Sequence, residues 1–170
     1  VLTGEAEPGG RLPTTWPAAI DDVPVLDVTP VDGVLRYTEG IHIGYRAWLR
    51  TQATPAFPFG HGLGYTSWEF LASERTGDEL TVRVRNTGER AGKQVVQVYA
   101  ERADSAVERP ARWLVGFAVV RADAGTDAVA TVSLPTRRFA HWTEAGWNVE
   151  PGAYTLRVGT SVADTVLAVD

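Results

Sequence analysis

Carboxylates are the side chains of this 170-residue sequence whose types and positions best suit hydrolytic chemistry. Cleavage of a glycosidic bond, for example, needs two carboxyl groups held about 5 to 9.5 Å apart. Asp21 and Asp22 lie in an apparent loop, where solvated turn carboxylates are the simpler interpretation. Glu39 is bracketed by aromatic residues and a glycine, and we favour its pairing with Arg36 or Arg46 over a catalytic role. The candidates in the N-terminal region are Asp21, Asp22, Asp27, Asp32 and Glu39.

The other chemistry-bearing residues form no recognisable motif. The three histidines lack the spacing of a metal site, and no serine lies in the G-x-S-x-G context of serine hydrolases. The run from Gly60 to Gly64 has no strand before it and no helix after it, so it does not predict a phosphate-binding loop. The absence of cysteine excludes disulfides and thiolate chemistry. The histidines are His42, His61 and His141.

Six tryptophans are a high count for a chain of this length. Tryptophan faces stack on sugar rings, so a carbohydrate-binding surface is one hypothesis. Such a surface would need at least two coplanar aromatic rings exposed to solvent. We favour the alternative, in which four of the tryptophans fill the core of the predicted fold and its edges because each adjoins a strand pattern. These four are Trp68, Trp113, Trp142 and Trp147.

Two regions of the chain must position these residues, and they differ in pattern. Residues 1–66 carry proline or glycine every few positions and show no sustained period, which predicts a wrapping segment rather than a domain. From Ser67 onward apolar residues alternate with polar ones, as in Leu80 to Val84 and Tyr154 to Val158. About seven such runs are separated by turn signals. They predict an all-β fold, an antiparallel β-sandwich of roughly 100 residues.

Composition limits the partners that the chain can have. Its net charge of −5 without a basic block makes nucleic acid an unexpected partner, and no apolar run approaches the length of a membrane helix. Fifteen arginines against one lysine suggest a GC-rich bacterial source. Because the chain starts at Val1 without an initiator methionine or signal peptide, we expect it to be a piece of something longer. Nothing in it decides between a cytoplasmic and a secreted protein.

Several blocks of the sequence match known motifs in a fixed order. The N-terminal blocks run from Gly4 to Pro17, from Tyr37 to Arg46 and from Phe57 to Thr66. Together with the later blocks they resemble the family 3 glycoside hydrolases, the β-glucosidase family, over essentially the whole chain. The later blocks are Asn86-Thr87-Gly88, Val95 to Tyr99, Arg109-Pro110, Leu114 to Phe117 and Val149 to Tyr154.

The resemblance implies a division of the chain into three parts. Residues 1–20 would be the C-terminal strip of an α/β sandwich domain that is otherwise missing. Residues 21–66 would be a linker that wraps the surface. Residues 67–170 would form an immunoglobulin-like or fibronectin type III-like domain.

The resemblance also implies where catalysis takes place. In this family the nucleophilic aspartate lies in an N-terminal barrel and the acid/base glutamate in the α/β sandwich domain, upstream of the blocks matched here. No catalytic residue can therefore be assigned to this chain. The parent would be a retaining exo-acting β-glycosidase, using a covalent glycosyl-enzyme and neither cofactor nor metal. Positions that could form the rim of its substrate site, or serve structure alone, are Glu39, Tyr45, Arg46 and His61.

Two functions remain open on these grounds. The first is an accessory module that braces the barrel and α/β sandwich domains of the parent and meets the carbohydrate substrate only through them. The second is an autonomous carbohydrate-binding module that uses surface tryptophans. We favour the brace. On that hypothesis residues 57–65 pack on the sandwich itself, whereas residues 1–17 depend on the missing domain.

Overall fold

The computed structural model describes residues 1–24 and 26–170. In this part of the chain there are nine strands, one α-helix and two short 3-10 turns. The helix α1 is Tyr45–Thr51, and the 3-10 turns are Ile20–Asp22 and Thr136–Phe139. The strands are β1 Trp68–Thr76, β2 Glu79–Asn86, β3 Gly92–Glu101, β4 Trp113–Ala122, β5 Asp127–Ser133, β6 Ala140–Thr143, β7 Gly146–Val149, β8 Thr155–Gly159 and β9 Thr165–Val169.

Seven of the strands form two antiparallel sheets that face each other. One sheet has the order β1-β2-β5 and the other β4-β3-β8-β9. Strand β2 shows why the sheets pack: Leu80, Val82 and Val84 are fully buried, while the residues between them are exposed. This period of two places one apolar face of each strand toward the other sheet. The predicted all-β sandwich of about seven strands is confirmed.

The core lies between the two sheets and consists of aliphatic side chains with a few aromatic rings at one end. Burial of each valine or leucine from water contributes about 1.5–3 kcal/mol, so this cluster is the main source of stability. Trp113, Phe139 and Tyr154 close the end of the core nearest the β6–β7 hairpin, with edge-to-face ring contacts. The buried aliphatic members are Leu80, Val82, Val84, Val96, Val98, Val115, Val120, Val132, Leu134, Leu156 and Val158.

Asn86 is the polar residue on which the start of the sandwich depends. It is completely buried, and its amide donates to the carbonyls of Arg90 (2.8 Å) and Ala122 (3.1 Å). Its side-chain oxygen accepts from Thr66 Oγ1 (2.5 Å) and Gly88 N–H (3.1 Å). All its hydrogen-bonding groups are therefore used, as burial of an amide requires. The sequence indicated only a turn here.

Two runs of the N-terminal region pair with each other and form what we call the clasp, residues 1–16 and 57–65. Leu12 exchanges backbone hydrogen bonds of 2.8 and 2.9 Å with the second run. Trp16 and Phe57 exchange a further two, of 2.8 and 3.2 Å. We expected the first run to depend on a surface outside this chain. The backbone of the first run is hydrogen-bonded to the second run at Leu12 and Trp16, and its dependence on a further surface stays a prediction.

Gln97 of β3 anchors the clasp to the sandwich. Its side-chain amide donates to the carbonyl of Gly60 (2.9 Å) and to that of Thr160, and its oxygen accepts from the Tyr99 hydroxyl (2.6 Å). Burial raises the pKa of Tyr99, so this hydroxyl stays protonated and donating. The expected packing of residues 57–65 on the sandwich is confirmed. Gln97 and Tyr99 lie on the face of β3 that points away from the core.

The hairpin of β6 and β7 is an element that the sequence did not predict. Its four-residue strands pair Trp142 with Trp147 and contribute only partly buried or exposed residues. Without a fully buried face there is no strong alternation to read.

In the described part of the chain no helix is long and apolar enough to cross a membrane.

Candidate functional site

The structure does not bring the four candidate residues together into one site. No hydrogen bond or ion pair joins any two of them within residues 1–24 and 26–170. Tyr45, at the start of α1, stacks on Phe59 with 4.5 Å between ring centroids, and its hydroxyl accepts the Leu114 N–H (3.0 Å). His61 lies in the clasp, with its ring centroid 5.3 Å from that of Phe57. Both residues have packing partners that account for their positions.

Glu39 lies on the long excursion between the two runs of the clasp. The part of this excursion before α1, residues 18–44, is called the arm. The ion pair that we favoured, with Arg36 or Arg46, is not formed among the described residues, so that interpretation was wrong. Glu39 lines a cavity of about 510 Å³ together with Asp27, His42 and Arg50. Asp27 accepts the Thr29 N–H at 3.2 Å, a turn contact. A catalytic pair would need two carboxylates held on rigid elements, and both of these belong to the arm.

His42 connects the arm to the loop that precedes β4. It is buried, and its Nε2 lies 2.9 Å from the carboxylate of Glu108. The contact fixes the end of the arm next to α1. Arg46, one turn further on, points instead to a groove beside the hairpin, and its guanidinium carbon lies 5.9 Å from the centroid of the Tyr45 ring.

Glu150 is the centre of a charged cluster that the sequence analysis did not identify. Its carboxylate accepts the Ala106 N–H (2.6 Å) and the Ser105 hydroxyl (2.7 Å), and it pairs with Arg102 (3.1 Å) and Arg109 (3.3 Å). The Ala106 and Ser105 hydrogen bonds, with the two guanidinium charges, lower the pKa of Glu150 to about 2. At neutral pH this carboxylate is therefore ionised and fully engaged. It is a structural tie between loop and sheet.

Glu101 forms a second such centre on β3. One carboxylate oxygen accepts from Arg112 (2.5 and 2.7 Å) and the other from Arg157 (2.9 Å). Partial burial alone would raise the pKa of Glu101, but the hydrogen bonds from Arg157 and Arg112 outweigh it and hold the pKa below its usual range. The sequence feature common to both charged clusters is a glutamate at the end of a strand, and the arginines that pair with it are distant in sequence. Such a pairing can be recognised only once the strands are placed.

The tryptophans divide between the core and the surface. Trp113 is buried and Trp68 packs partly against the core, as expected. Trp142 and Trp147 are 66% and 53% exposed, so the expectation that they fill the core and its edges was wrong. Their rings meet at 76° with centroids 5.4 Å apart. Because they are not coplanar, they do not supply the platform that an autonomous carbohydrate-binding module requires.

The hairpin forms one side of an open groove of about 770 Å³, which we call the hairpin groove. Arg137 lies over the Trp147 ring, with its guanidinium carbon 4.3 Å from the ring centroid. Arg46 and Arg138 line the same groove, as does Ile41 at the end of the arm. The groove is thus aromatic, and its charged lining consists of arginines together with the carboxylate of Glu108.

The described residues thus form a β-sandwich domain with an attached, clasped N-terminal segment. Sequence models of two domains match it. Residues 1–65 match the glycosyl hydrolase family 3 C-terminal domain, and residues 94–162 match the fibronectin type III-like domain.

Solved and curated β-glucosidases are similar over nearly the whole chain. The structure of DesR, a β-glucosidase from Streptomyces venezuelae in complex with D-glucose, superposes with a TM-score of 0.92 at 36% identity, covering 99% of this chain and 23% of that one. Thermostable β-glucosidase B of Acetivibrio thermocellus is 35% identical over 98% of this chain and 24% of its own length. β-Glucosidase B of Emericella nidulans is 38% identical over 96% of this chain and 22% of its own.

The chain belongs to the family 3 glycoside hydrolases and corresponds to the C-terminal portion of their β-glucosidases, including the fibronectin type III-like domain. It spans about a quarter of the length of the relatives it matches. The relatives include fungal as well as bacterial proteins, so the similarity does not support the bacterial source suggested by the arginine content.

Proposed function

We propose that this chain is the accessory C-terminal part of a retaining exo-β-glycosidase that removes terminal β-D-glucosyl residues, and that it braces the catalytic domains without being catalytic itself. The similarity to β-glucosidases over nearly the whole chain supports the class of parent. The partners would be the barrel and the α/β sandwich domain. The substrate would be reached only through them, and no cofactor is required.

The observation that carries the proposal is the apolar outer face of the clasp. Leu2 is fully exposed, Leu63 is 75% exposed, and Trp16, Phe57 and Tyr65 are each exposed by more than two fifths. Each of these side chains gains about 1.5–3 kcal/mol when it is moved out of water, and several large apolar side chains exposed on one short segment favour an interaction site. Residues 1–65 match the model of the C-terminal domain of the hydrolase family. The preceding domain is therefore the natural cover for this face.

The carboxylates of the chain also favour an accessory role. Glu101 and Glu150 are each paired with two arginines and have no free oxygen for a substrate. Asp27 and Glu39 lie on the arm rather than on a strand or helix that could hold them at a fixed separation. We therefore divide the chain into a strip of the preceding domain (1–20), a wrapping linker (21–66) and the fibronectin type III-like domain (67–170).

Substitution of Leu63 by aspartate tests the brace. Leu63 is exposed in this chain, so Leu63→Asp should change the stability of the 170-residue chain by no more than about 0.5 kcal/mol. In the full-length enzyme, where we propose that the face is covered, the same substitution buries a charge and should lower the unfolding free energy by about 2 kcal/mol or more. Urea unfolding and β-glucosidase activity of the full-length enzyme are the measurements.

Val129→Asp is the matched control. Val129 is 61% exposed on β5, on the sandwich rather than on the clasp. It should be tolerated in both forms of the protein. If Leu63→Asp is tolerated by the full-length enzyme as well as Val129→Asp is, the clasp face is not covered and the brace proposal is wrong.

A further inference from the structure

The cavity between the arm and α1, which we call the arm cavity, has a lining that is rich in hydrogen-bond acceptors. Asp27 and Glu39 supply two carboxylates, and Arg50 is the cation among the described lining residues. None of these three groups forms an ion pair within residues 1–24 and 26–170, and Asp27 accepts the backbone N–H of Thr29 (3.2 Å). Two carboxylates against one guanidinium leave the lining with an excess of negative charge.

His42 adds a buried nitrogen without a partner to this lining. The residue is 8% exposed, and its Nε2 lies 2.9 Å from the carboxylate of Glu108, which belongs to the hairpin groove and does not line the arm cavity. A carboxylate only accepts, so Nε2 carries the hydrogen and Nδ1 of the neutral ring is an acceptor. Nδ1 is buried and has no hydrogen-bond partner among the described residues. Because an unsatisfied buried acceptor is costly, we expect its donor to lie outside these residues.

Local structure holds these acceptors in place before any partner binds. The Glu39 carbonyl accepts the His42 N–H (3.0 Å), and this turn keeps the two residues side by side. The helix α1 contributes Arg50 to the lining and is itself anchored, because the Tyr45 hydroxyl accepts the Leu114 N–H (3.0 Å). The arm cavity is therefore a shaped acceptor site and not a chance gathering of surface charges.

The chemistry of the lining favours a cationic donor over a sugar. No aromatic ring is among the described lining residues, so the cavity lacks the platform on which sugar faces stack. A lysine or arginine side chain brings several N–H donors and balances the excess negative charge. The lining residues all lie within residues 1–65, which match the C-terminal domain of the hydrolase family. The chain spans about a quarter of the length of its relatives, so the rest of such a domain would be tethered near the cavity at a high effective concentration.

We propose that a lysine or arginine of the domain that precedes this chain inserts into the arm cavity and donates to Asp27, Glu39 and Nδ1 of His42. This inference rests on the brace proposed above and adds a second contact to it, which is polar where the clasp face is apolar. The inserted cation and Glu108 then hold the two nitrogens of the His42 ring. Through this ring the preceding domain is connected to the loop before β4.

Hydrogen exchange of the full-length enzyme tests the contact. Asp27→Asn with Glu39→Gln keeps the shape of both side chains and removes their charge. Exchange at residues 26–44 should become about tenfold faster or more, because hydrogen bonds between charged groups are the strong ones. A segment outside these 170 residues should exchange faster as well, and that segment carries the donor. Glu74→Gln with Asp78→Asn removes the same two charges from exposed positions on β1 and the turn after it, and it should leave the arm unchanged.

Arg50→Gln separates this contact from one made within the chain. Its removal leaves the acceptors to the inserted cation, so the arm should stay as protected as in the wild type. A loss of protection equal to that of the double variant would show that the carboxylates serve Arg50, and it would overturn the proposal. Unchanged exchange in Asp27→Asn with Glu39→Gln, or faster exchange confined to the arm, would overturn it too. These results would leave the brace standing, because the brace fails only if Leu63→Asp is tolerated.

Discussion

At the scale of single residues, charged side chains of this chain form ion pairs that hold its elements together. Glu150 connects the loop before β4 to the end of β7, and Glu101 connects β3 to β8 and to the loop before β4. The residues chosen from the sequence as possible rim positions, Tyr45 and His61, pack against Phe59 and Phe57. The partner of His61 lies four residues away in the same run of the clasp, whereas the stacking of Tyr45 on Phe59 could not be predicted because it depends on where α1 lies against that run.

The lowered pKa of Glu150 predicts a specific dependence of stability on pH. A carboxyl with a pKa of about 2 in the folded chain and 4.5 unfolded stabilises the fold above about pH 4.5. That contribution is lost as the pH falls from there toward 2. Glu150→Gln should therefore be less stable than the wild type at pH 7 and should lose less stability on acidification. Urea unfolding at several pH values measures both effects.

Glu144→Gln is the control for that experiment. Glu144 is exposed at the turn of the hairpin, between β6 and β7. Its substitution should leave the acid dependence as in the wild type. An acid dependence in Glu150→Gln that matches the wild type would assign the effect to other carboxyl groups, such as Glu101.

At the scale of elements, periodic burial separates what the sequence predicted from what it did not. The sandwich strands alternate between apolar and polar residues, most regularly in β2 and β5, and this alternation was readable. The β6–β7 hairpin and the clasp bury no regular face, and the hydrogen bonds of the clasp join residues tens of positions apart, such as Trp16 and Phe57. Gln97 likewise acts on a carbonyl 37 residues away. The conformation of such elements is determined by tertiary contacts, which a local sequence pattern does not predict.

The contact between the clasp and β3 predicts a cost for adding a methyl group at Gly60. Gly60 has φ of +83°, and a Cβ there would lie 2.1 Å from Oε1 of Gln97. Gly60→Ala should therefore lower the unfolding free energy by about 1–3 kcal/mol, through backbone strain and a displaced Gln97. Urea unfolding measures the loss, and hydrogen exchange should show it as faster exchange at residues 57–65.

Gly10→Ala provides the comparison, since a Cβ at Gly10 would meet nothing within 4 Å. It should be neutral or slightly stabilising, because alanine reduces the freedom of the unfolded chain. Equal losses in the two variants would mean that the close approach of the clasp to Gln97 does not contribute to stability.

At the scale of the whole molecule, the chain spans about a quarter of the length of its relatives, and we propose that the rest of such a protein covers its exposed apolar surfaces. The clasp face and the arm expose apolar side chains that a free-standing domain would bury. The sandwich, by contrast, has a complete core of its own. In the division of roles that we propose, catalysis takes place on domains outside this chain, and this chain holds those domains in place.

Catalytic silence of the isolated chain follows from that division. Purified 170-residue protein should release no aryl alcohol from aryl β-glucosides above the rate in buffer, because acid/base and nucleophilic steps each need a positioned carboxylate. The full-length enzyme is the positive control in the same assay. Turnover that survives repurification and disappears in Glu39→Gln would place a catalytic carboxylate on the arm.

The clasp also has a consequence for how the protein can change. Trp16 and Phe57 exchange two backbone hydrogen bonds at the base of the excursion that contains the arm and α1, so the chain leaves and re-enters the body at neighbouring points. Lengthening a closed loop costs only about 0.6 kcal/mol for each doubling of its length. The exposed part of the arm around the Val31–Val34 turn is therefore a natural place for inserted sequence: evolution, or an engineer, can put a longer loop or a small foreign domain there while α1 and the sandwich keep their contacts.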